Sequence, residues 1–370
     1  MGTYANEPQA IAVTALCGGV GGAKVAAGLA RLVRPELLTI VVNTGDDFRR
    51  YGLYVAPDVD TVLYTLSDLA DSTTGWGLAG DSGRVMERLA EMVGALDDEP
   101  GHGTDDEPGY GTDDEPGHGT DDEPGHGTDD EPWFHLGDRD LATHLLRTSW
   151  LASGATPTEV TRRLARALTV APTVLPMTDS AACATSIATA DGELPFQEWF
   201  VHRRCEPPAI NVRYGREAGG VPAAPTDAVL SAIADADLVV VCPSNPYLSI
   251  WPILALDGMR ESLAAGPAPV VAISPVIGGR AVKGPTARML RDFAGEASSV
   301  AVARLYNDFL DGIVIDATDE GDAAAIEELG IAVAVTGTLM TDDDARARVA
   351  RRALDLGADI ARRSDGVGEA

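Results

Sequence analysis

A glycine-rich segment with one lysine lies near the start of the chain. It spans Gly18–Lys24, reads GGVGGAK and follows the apolar run Ile11–Cys17. Glycines let backbone N–H groups approach an anion, and a lysine adds a compact positive charge. The spacing fits neither G-x-x-x-x-G-K-[ST] nor G-x-G-x-x-G, so it is not an ordinary P-loop or dinucleotide fingerprint. We interpret it as a phosphate-binding loop. A tight turn that packs a helix on a sheet is the alternative.

Four aspartates follow in two short segments. Asp46 and Asp47 end the sequence NTGDD, and Asp58 and Asp60 lie in the sequence PDVDT. Carboxylates beside a phosphate site suggest Mg²⁺, which binds one or two carboxylates together with waters and phosphate oxygens. The alternative is that Asp58 or Asp60 caps a helix predicted over 61–69.

Three later segments also carry polar groups of possible function. The sequence WFHLGDRD at 133–140 could form an aromatic wall with polar groups for a flat ligand, or simply an ion-paired helix start. Ser244 and Asn245 follow an apolar run and could bind a base or a phosphate, or form a rigid turn. The stretch 274–285 is rich in glycine and contains Lys283, one of only two lysines, which suits a pyrophosphate.

Signatures of covalent catalysis are missing from the sequence. It has no G-x-S-x-G elbow, no H-E-x-x-H and no Cys-His signature. Its four cysteines form no C-x-x-C pair, which argues against a disulfide framework or a structural zinc site and favours a reducing cytosol. These observations predict an α/β enzyme with several anion-binding loops, a metal ion and no covalent nucleophile.

The elements that position these residues alternate between strands and helices. The predicted strands are Ile11–Cys17, Leu38–Val42, Leu238–Cys242, Val270–Ser274, Gly312–Asp316 and Ile331–Val335. Continuous apolar strands that alternate with helices predict an α/β fold with a mainly parallel sheet covered on both faces. In such folds, ligands bind at the carboxyl ends of the strands.

Composition excludes some partners. The chain has 370 residues and a formal net charge of −29, which disfavours direct binding to nucleic acid or to an anionic membrane. No apolar run reaches the roughly 18 residues that span a bilayer. The first residues do not resemble a signal peptide, so we expect a cytoplasmic protein.

An acidic octapeptide repeat interrupts the chain at 97–132, where DDEPGHGT recurs almost unchanged. Ordering it would cost more backbone entropy than its contacts return, so we predict a disordered insertion. Weak metal binding by its His and Asp is the alternative. We predict one domain from residues 1–96 and 133–345, with a C-terminal helix and tail at 346–370.

The motifs, taken in order, resemble the 2-phospho-L-lactate transferase (CofD-like) family. The similarity runs from about Ile11 to Asp342 through GGVGGAK, NTGDD, PDVDT, WFHLGDRDLATHLLR, PSNPYLSIWPIL and SPVIGGRAVKGP. It implies a Rossmann-like three-layer α/β/α core, a helical subregion, and a homodimer. It also implies a Mg²⁺-dependent step of coenzyme F-420 biosynthesis. A phospho-lactyl or phosphoenolpyruvyl unit passes from a guanosine diphosphate conjugate to a hydroxyl of the deazaflavin FO, and GMP is released. WFHLGDRD is more similar to the bacterial branch, for which an enolpyruvyl donor is expected.

The resemblance also implies roles for individual residues. Asp46 and Asp47 would bind the metal, Asp60 would lie at the deazaflavin end, and one of these three carboxylates would accept the hydroxyl proton. The residues expected to bind substrate are Gly18, Gly19, Gly21, Gly22, Lys24, Asn43, Asp60, His135, Asp138, Arg139, Ser244, Asn245 and Lys283. Of these, Ser244 and Asn245 match the guanosine side and Lys283 the diphosphate. Archaeal relatives tend to carry lysine at the position of His135.

Two competing functions remain open from the sequence. A regulatory protein of the same fold would bind a nucleotide sugar without turnover, although the segment LGDRDLATH is typical of the transferases. An NAD-dependent dehydrogenase is disfavoured because the glycine spacing departs from G-x-G-x-x-G.

Overall fold

The computed structural model describes residues 8–97, 134, 136–216, 220 and 222–367. Except for Asp97, the predicted insertion at 97–132 lies outside the described residues, as does His135.

Fourteen strands are found in the described part of the chain. They are β1 Val13–Cys17, β2 Leu38–Val42, β3 Phe48–Arg50, β4 Leu53–Val55, β5 Thr173–Pro176, β6 Ser186–Thr189, β7 Gly192–Pro195, β8 Asn211–Arg213, β9 Leu238–Val241, β10 Val270–Ile273, β11 Val276–Ile277, β12 Arg280–Ala281, β13 Gly312–Asp316 and β14 Ala332–Thr336.

Twelve α-helices accompany them within the same described ranges. They are α1 Gly19–Ala30, α2 Pro57–Leu66, α3 Arg84–Asp97, α4 Asp140–Ala152, α5 Pro157–Ala167, α6 Asp227–Ala234, α7 Trp251–Leu254, α8 Met259–Ala265, α9 Thr286–Ala294, α10 Ser299–Leu305, α11 Ala323–Glu327 and α12 Asp343–Val367. Among these helices, none combines the length and the apolar character needed to cross a membrane.

Seven strands form one parallel sheet in the order β14-β13-β10-β9-β1-β2-β5. From β1 the chain first adds β2 and β5 on one side. It then returns to add β9, β10, β13 and β14 on the other side. The strand order therefore reverses between β1 and β9, which is where doubly wound folds form a ligand crevice at the carboxyl ends of the strands.

Side chains that alternate along each strand enter two separate cores. Ala15 and Cys17 of β1 pack with α1, α2, α5 and α12 on one face of the sheet. Leu16 packs with α6, α8 and α10 on the opposite face. A third, smaller cluster around Met86 and Leu136 joins the region of α3 and α4 to β4. This arrangement confirms the predicted three-layer α/β/α fold and its largely parallel sheet.

The long helix α12 lies directly against α1. A Cβ atom added to Gly28 of α1 would stand 2.4 Å from the carbonyl oxygen of Arg346, so the two backbones approach closely. The predicted boundary after residue 345 falls within the first turn of α12. The helix thus forms part of the layer that covers the sheet.

Candidate active site

A cavity of about 830 Å³ opens at the carboxyl ends of β1 and β9, where the strand order reverses. Its walls come from the start of α1, the loop after β2, the first turn of α2 and the loops that follow β9, β12 and β14. Segments far apart in the sequence therefore meet at the place where this fold class binds ligands.

The glycine-rich segment forms the N-terminal end of α1. The Ser244 hydroxyl accepts the Gly18 N–H at 3.2 Å and donates to the Gly18 carbonyl at 2.5 Å. The Gly19 N–H donates to Asp58 Oδ1 at 2.6 Å. Because the first N–H groups of a helix lack partners within it, the following amides of Val20 and Gly21 remain to face an anion at the positive end of α1.

Two glycines in this segment are also required for packing. A Cβ on Gly21 would lie 2.6 Å from the carbonyl oxygen of Pro243, and one on Gly22 would lie 2.6 Å from Ser244 Oγ. The predicted alternative, a turn that packs helix on sheet, is therefore present: Gly21 also lines the cavity, whereas Gly22, predicted to bind substrate, is buried and does not line it. The close approach holds α1 against the loop after β9.

Asn43 forms hydrogen bonds to two of the acidic residues. Its Nδ2 donates to Asp46 Oδ1 at 3.2 Å and to Asp58 Oδ2 at 2.9 Å, while its Oδ1 accepts the Gly45 N–H at 2.8 Å. Asn43 is fully buried and does not line the cavity. It was predicted to bind substrate; in the structure it joins the loop after β2 to α2 and orients the carboxylates of Asp46 and Asp58.

The two predicted metal ligands differ in their surroundings. Asp46 lines the cavity, whereas Asp47 lies behind it. The Tyr54 hydroxyl donates to Asp47 Oδ2 at 3.0 Å, and Asp47 Oδ1 is buried with no hydrogen-bond partner in the described part of the chain. Burial raises the pKa of both carboxyls, and the neighbouring Asp58 raises that of Asp46 further. A cation placed here would relieve this clustering of negative charge.

Asp58 and Asp60 lie inside α2, which begins at Pro57 rather than at residue 61. The predicted alternative that one of them caps this helix is wrong, because the N-cap is Ala56 and no side chain caps the helix there. Both carboxylates line the cavity. Burial raises the pKa of Asp58 to about 6, against the opposing hydrogen bonds from Asn43 and Gly19.

Asp60 belongs to a polar network between α2 and α4. Arg147 donates to both of its carboxylate oxygens, with Nη1 2.9 Å from Oδ2. His144 Nδ1 lies 3.7 Å from Asp60 Oδ2, and His144 Nε2 lies 3.1 Å from Asp140 Oδ2. The Tyr64 hydroxyl donates to Asp140 Oδ1 at 2.5 Å. Asp60, Asp140 and His144 offer ligand atoms within 4.8 Å of one another and could also hold a metal ion.

Sequence reasoning assigned no role to His144 or Arg147, and it included Asp140 only as part of the segment WFHLGDRD. A signal was available, because their spacing places all three on one face of a single helix. On α2, Asp60 and Tyr64 stand four residues apart in the same way. Polar residues at helical spacing in two otherwise apolar helices were the pattern to notice.

The segment LGDRD contributes less to the cavity than predicted. Asp138 accepts the Ser82 hydroxyl at 2.6 Å and the Val85 N–H at 2.9 Å, and so binds the start of α3. The Ser82 hydrogen bond holds the pKa of Asp138 below its usual value. Arg139 donates to the Ala79 carbonyl at 2.9 Å. Neither side chain lines the cavity, so their proposed substrate contacts stay predictions.

Lys24 and Lys283 bring positive charge to the cavity. Lys24 Nζ donates to the Met340 carbonyl at 2.9 Å, and burial lowers its pKa, with a smaller effect from Arg346. Lys283 Nζ donates to the Thr74 carbonyl at 2.6 Å. Both line the cavity, and within the described residues the hydrogen-bond acceptor of each is a neutral carbonyl. Both ammonium groups are therefore placed to meet an anion.

The loop after β9 presents the predicted guanosine-side residues at the cavity wall. Ser244 is held against Gly18, as described above. Asn245 Oδ1 accepts the N–H groups of Tyr247 at 2.9 Å and Leu248 at 3.2 Å, which stabilises the following turn. The predicted rigid turn is therefore present, and both side chains also line the cavity.

A glycine-edged helix terminus, buried carboxylates and two lysines surround one cavity of a Rossmann-like α/β fold, an arrangement typical of enzymes that act on phosphorylated substrates. The model of the family described as 2-phospho-L-lactate transferase CofD matches residues 13–345. The chain belongs to this family and is a transferase of phospho-acid groups, as predicted.

Similar proteins agree with this assignment. A phosphoenolpyruvate transferase of Kitasatospora aureofaciens is 37% identical over 351 residues, which cover 93% of this chain and 97% of the relative. A 2-phospho-L-lactate transferase of Methanosarcina acetivorans is 33% identical over 341 residues, covering 92% and 97%. A crystal structure of a Bacillus halodurans protein aligns with a TM-score of 0.55 at 16% identity, over 94% of this chain and all of that one, and supports the fold alone.

Proposed function

We propose that this protein transfers a phosphoenolpyruvyl unit from its guanosine diphosphate conjugate to a hydroxyl of the deazaflavin FO and releases GMP. The reaction is a Mg²⁺-dependent step of coenzyme F-420 biosynthesis. The family supports the reaction type, and the name of the Kitasatospora relative supports the enolpyruvyl donor. The name of the Methanosarcina relative makes a phospho-lactyl donor the second candidate.

The observation that carries the proposal is that groups of opposite charge line the same cavity. The glycine segment, Lys24 and Lys283 bring positive charge, while Asp46 and Asp60 bring negative charge. A diphosphate fits the first group. The acceptor fits the second, because the same cavity is also lined by Tyr64 and Phe134, whose aromatic rings can cover a flat ring. The phosphorus would then lie between the two groups.

The acidic residues fit Mg²⁺. Asp46 and Asp47 offer oxygen ligands, and Asp47 Oδ1 is a buried oxygen with no hydrogen-bond partner among the described residues. We assign the ion to these two residues, with Asp58 beside them. An ion held there would offset negative charge on the diphosphate.

Asp60 is the best placed of the three candidate bases. Asp46 and Asp47 are committed to the metal in this proposal, whereas Asp60 lines the cavity beside the apolar wall. Burial raises its pKa despite the opposing effects of Arg147 and His144. Asp60 would orient the acceptor hydroxyl and receive its proton as the bond to phosphorus forms. Positioning of this kind supplies much of the catalysis in phosphoryl-type transfer.

Assembly and compartment are part of the same proposal. The family resemblance favours a homodimer, and the isolated cysteines favour the reducing cytoplasm. The substrates are small molecules, and the acidic charge disfavours nucleic acid and anionic membranes as partners.

Product analysis tests the proposal. The protein is incubated with FO, Mg²⁺ and the guanosine diphosphate conjugate of either enolpyruvate or lactate. Mass spectrometry then follows GMP and the charged deazaflavin. We expect turnover with both substrates present, faster with the enolpyruvyl donor. Faster turnover with the lactyl donor would reverse the donor assignment, and nucleotide binding without GMP release would overturn the reaction.

A further inference from the structure

Arg147 lies directly behind a carboxylate that faces the cavity. Its guanidinium binds both oxygens of Asp60, and the two residues are only 3% and 5% exposed. Asp60 lines the cavity, whereas Arg147 does not. Burying an ion pair carries a desolvation penalty that well-packed apolar residues avoid, so such a pair is weak evidence for a purely stabilising role.

The two helices that carry this pair are joined at a second point. Asp140 accepts the Tyr64 hydroxyl at 2.5 Å, and Asp140 itself begins α4. The Asp81 carboxylate accepts the Asp140 N–H at 3.0 Å and so holds the start of that helix. Arg147 therefore approaches Asp60 from a helix that is fixed at its opposite end.

His144 contacts both Arg147 and Asp140, and so lies between the two points at which α2 and α4 are joined. Arg147 Nη1 lies 3.2 Å from His144 Nδ1. Because a guanidinium can only donate hydrogen bonds, this nitrogen of the imidazole must be the acceptor. In the neutral ring the proton then sits on Nε2, which faces Asp140. The contact restricts the orientation of the guanidinium as well as that of the ring.

We infer that Arg147 is a positioning residue that fixes the plane of the Asp60 carboxylate for the acceptor hydroxyl without touching the substrate itself. The inference rests on the proposed role of Asp60. A planar guanidinium with two parallel donors sets the orientation of a carboxylate, which a lysine ammonium does not do. Arg147 thereby aligns the attacking oxygen with the phosphorus.

The test compares Arg147→Lys and Arg147→Ala with wild type in steady-state kinetics. Arg260→Lys is the matched control, because Arg260 pairs with Asp308 away from the cavity. We expect kcat to fall about 100-fold in both Arg147 variants, as for a misplaced catalytic group, while KM for the guanosine donor changes little. The control should keep wild-type kinetics.

Chemical rescue separates orientation from folding. Low millimolar guanidinium should restore part of the kcat of Arg147→Ala, while the same concentration of sodium chloride should not. Asp60→Asn combined with Arg147→Lys should lose no more activity than Asp60→Asn alone, because the two residues act as one unit.

Three results would overturn the inference: an unchanged kcat in Arg147→Lys, absence of rescue together with a lower melting temperature, or additive losses in the double variant. Failure of the proposed function is distinguishable from all three, because wild-type protein would then show no transfer with either donor. If transfer occurs but Asp60→Asn retains wild-type kcat, the assigned role of Asp60 is wrong and the inference falls with it.

Discussion

Asp58 accepts the N–H of Gly19, the first residue of α1, at 2.6 Å. A carboxylate from α2 thus occupies the anion position nearest to the start of the glycine segment. The positive end of a helix favours such a negative group. The second oxygen of Asp58 accepts from Asn43, so one side chain joins α1, α2 and the loop after β2. The shape of the proposed phosphate site therefore depends on a residue that needs no contact with the phosphate.

Replacement of Asp58 should weaken donor binding. Asp58→Ala removes both hydrogen bonds, and we expect KM for the guanosine donor to rise about 10-fold, in line with the loss of a charge-assisted bond. Asp58→Asn keeps an acceptor oxygen and should have a smaller effect. Initial-rate kinetics with Asp308→Asn as the surface control measure the difference. Equal donor KM values in all three variants would contradict the prediction.

The buried carboxylates should make stability depend on pH. The folded-state pKa of Asp58, about 6, exceeds the ordinary value of 3.8 because of burial. The folded protein therefore retains a proton that the unfolded chain releases, and the stability linked to this proton is lost as the pH rises through 6. Without metal, we expect the melting temperature to be about 5 °C higher at pH 5 than at pH 7.5.

Two controls belong to this melting experiment. Asp58→Asn should flatten the profile, because its side chain cannot ionise. Mg²⁺ should raise the melting temperature more at pH 7.5 than at pH 5, since the ion competes with protons for the same carboxylates. A melting temperature that increases from pH 5 to 7.5 in wild-type protein without metal would reverse the sign and refute the argument.

The assigned metal ligands should be essential for turnover. Asp46→Asn and Asp47→Asn each remove one negative oxygen, and we expect kcat to fall at least about 100-fold while the circular dichroism spectrum is preserved. A Mg²⁺ titration of the residual activity should show a weaker apparent affinity. Near-normal rates in both variants would show that the metal assignment is wrong. The cluster of Asp60, Asp140 and His144 would then be the next candidate site to test.

The close packing of the glycine segment gives a steric prediction. Gly21→Ala would place Cβ 2.6 Å from a backbone oxygen that cannot move away easily. We expect a loss of about 1–3 kcal/mol in the free energy of unfolding together with loss of activity. Gly83→Ala is the matched control, because a Cβ there would meet no atom within 4 Å. Equal melting temperatures and equal rates in the two variants would contradict the prediction, because they would show that the glycine segment can shift to accommodate the added Cβ.

The acidic repeat should be dispensable for catalysis. Removal of residues 98–131 shortens a chain segment whose closure entropy changes only slowly with length. We expect kcat within about twofold of wild type, measured with the GMP-release assay. Loss of soluble folded protein after this deletion would show that the repeat has a structural role.

The sheet was predictable from the sequence, whereas the different surroundings of the individual aspartates were not. Short apolar runs such as Leu238–Val241 are typical of buried strands. Because the strands are parallel, the loops at their carboxyl ends all lie at the same edge of the sheet. Motif reading also identified Asp46 and Lys24 as cavity residues. It could not distinguish Asp46 from Asp47, because adjacent residues in a loop point in directions set by their partners in the folded structure, such as Tyr54 for Asp47.

Contacts between segments distant in sequence explain what motif reading did not foresee. The polar residues of α4 share one helix face, but their partner Asp60 on α2 could be recognised only once the two helices were known to lie side by side. Asp138 looked like a ligand contact because its partners, Ser82 and Val85, stand more than 50 residues earlier in the chain. Side chains that hold backbone groups of another segment resemble binding residues until that segment is located.

The close contact between α1 and α12 has a consequence for biosynthesis. During translation, α1 and its glycine segment leave the ribosome early, whereas the helix that covers α1 emerges after every strand of the sheet. Until then, the apolar side of α1 lacks its native cover and is open to chaperones and to unwanted association. The nascent enzyme can therefore complete its catalytic centre only after nearly the whole chain has been synthesised.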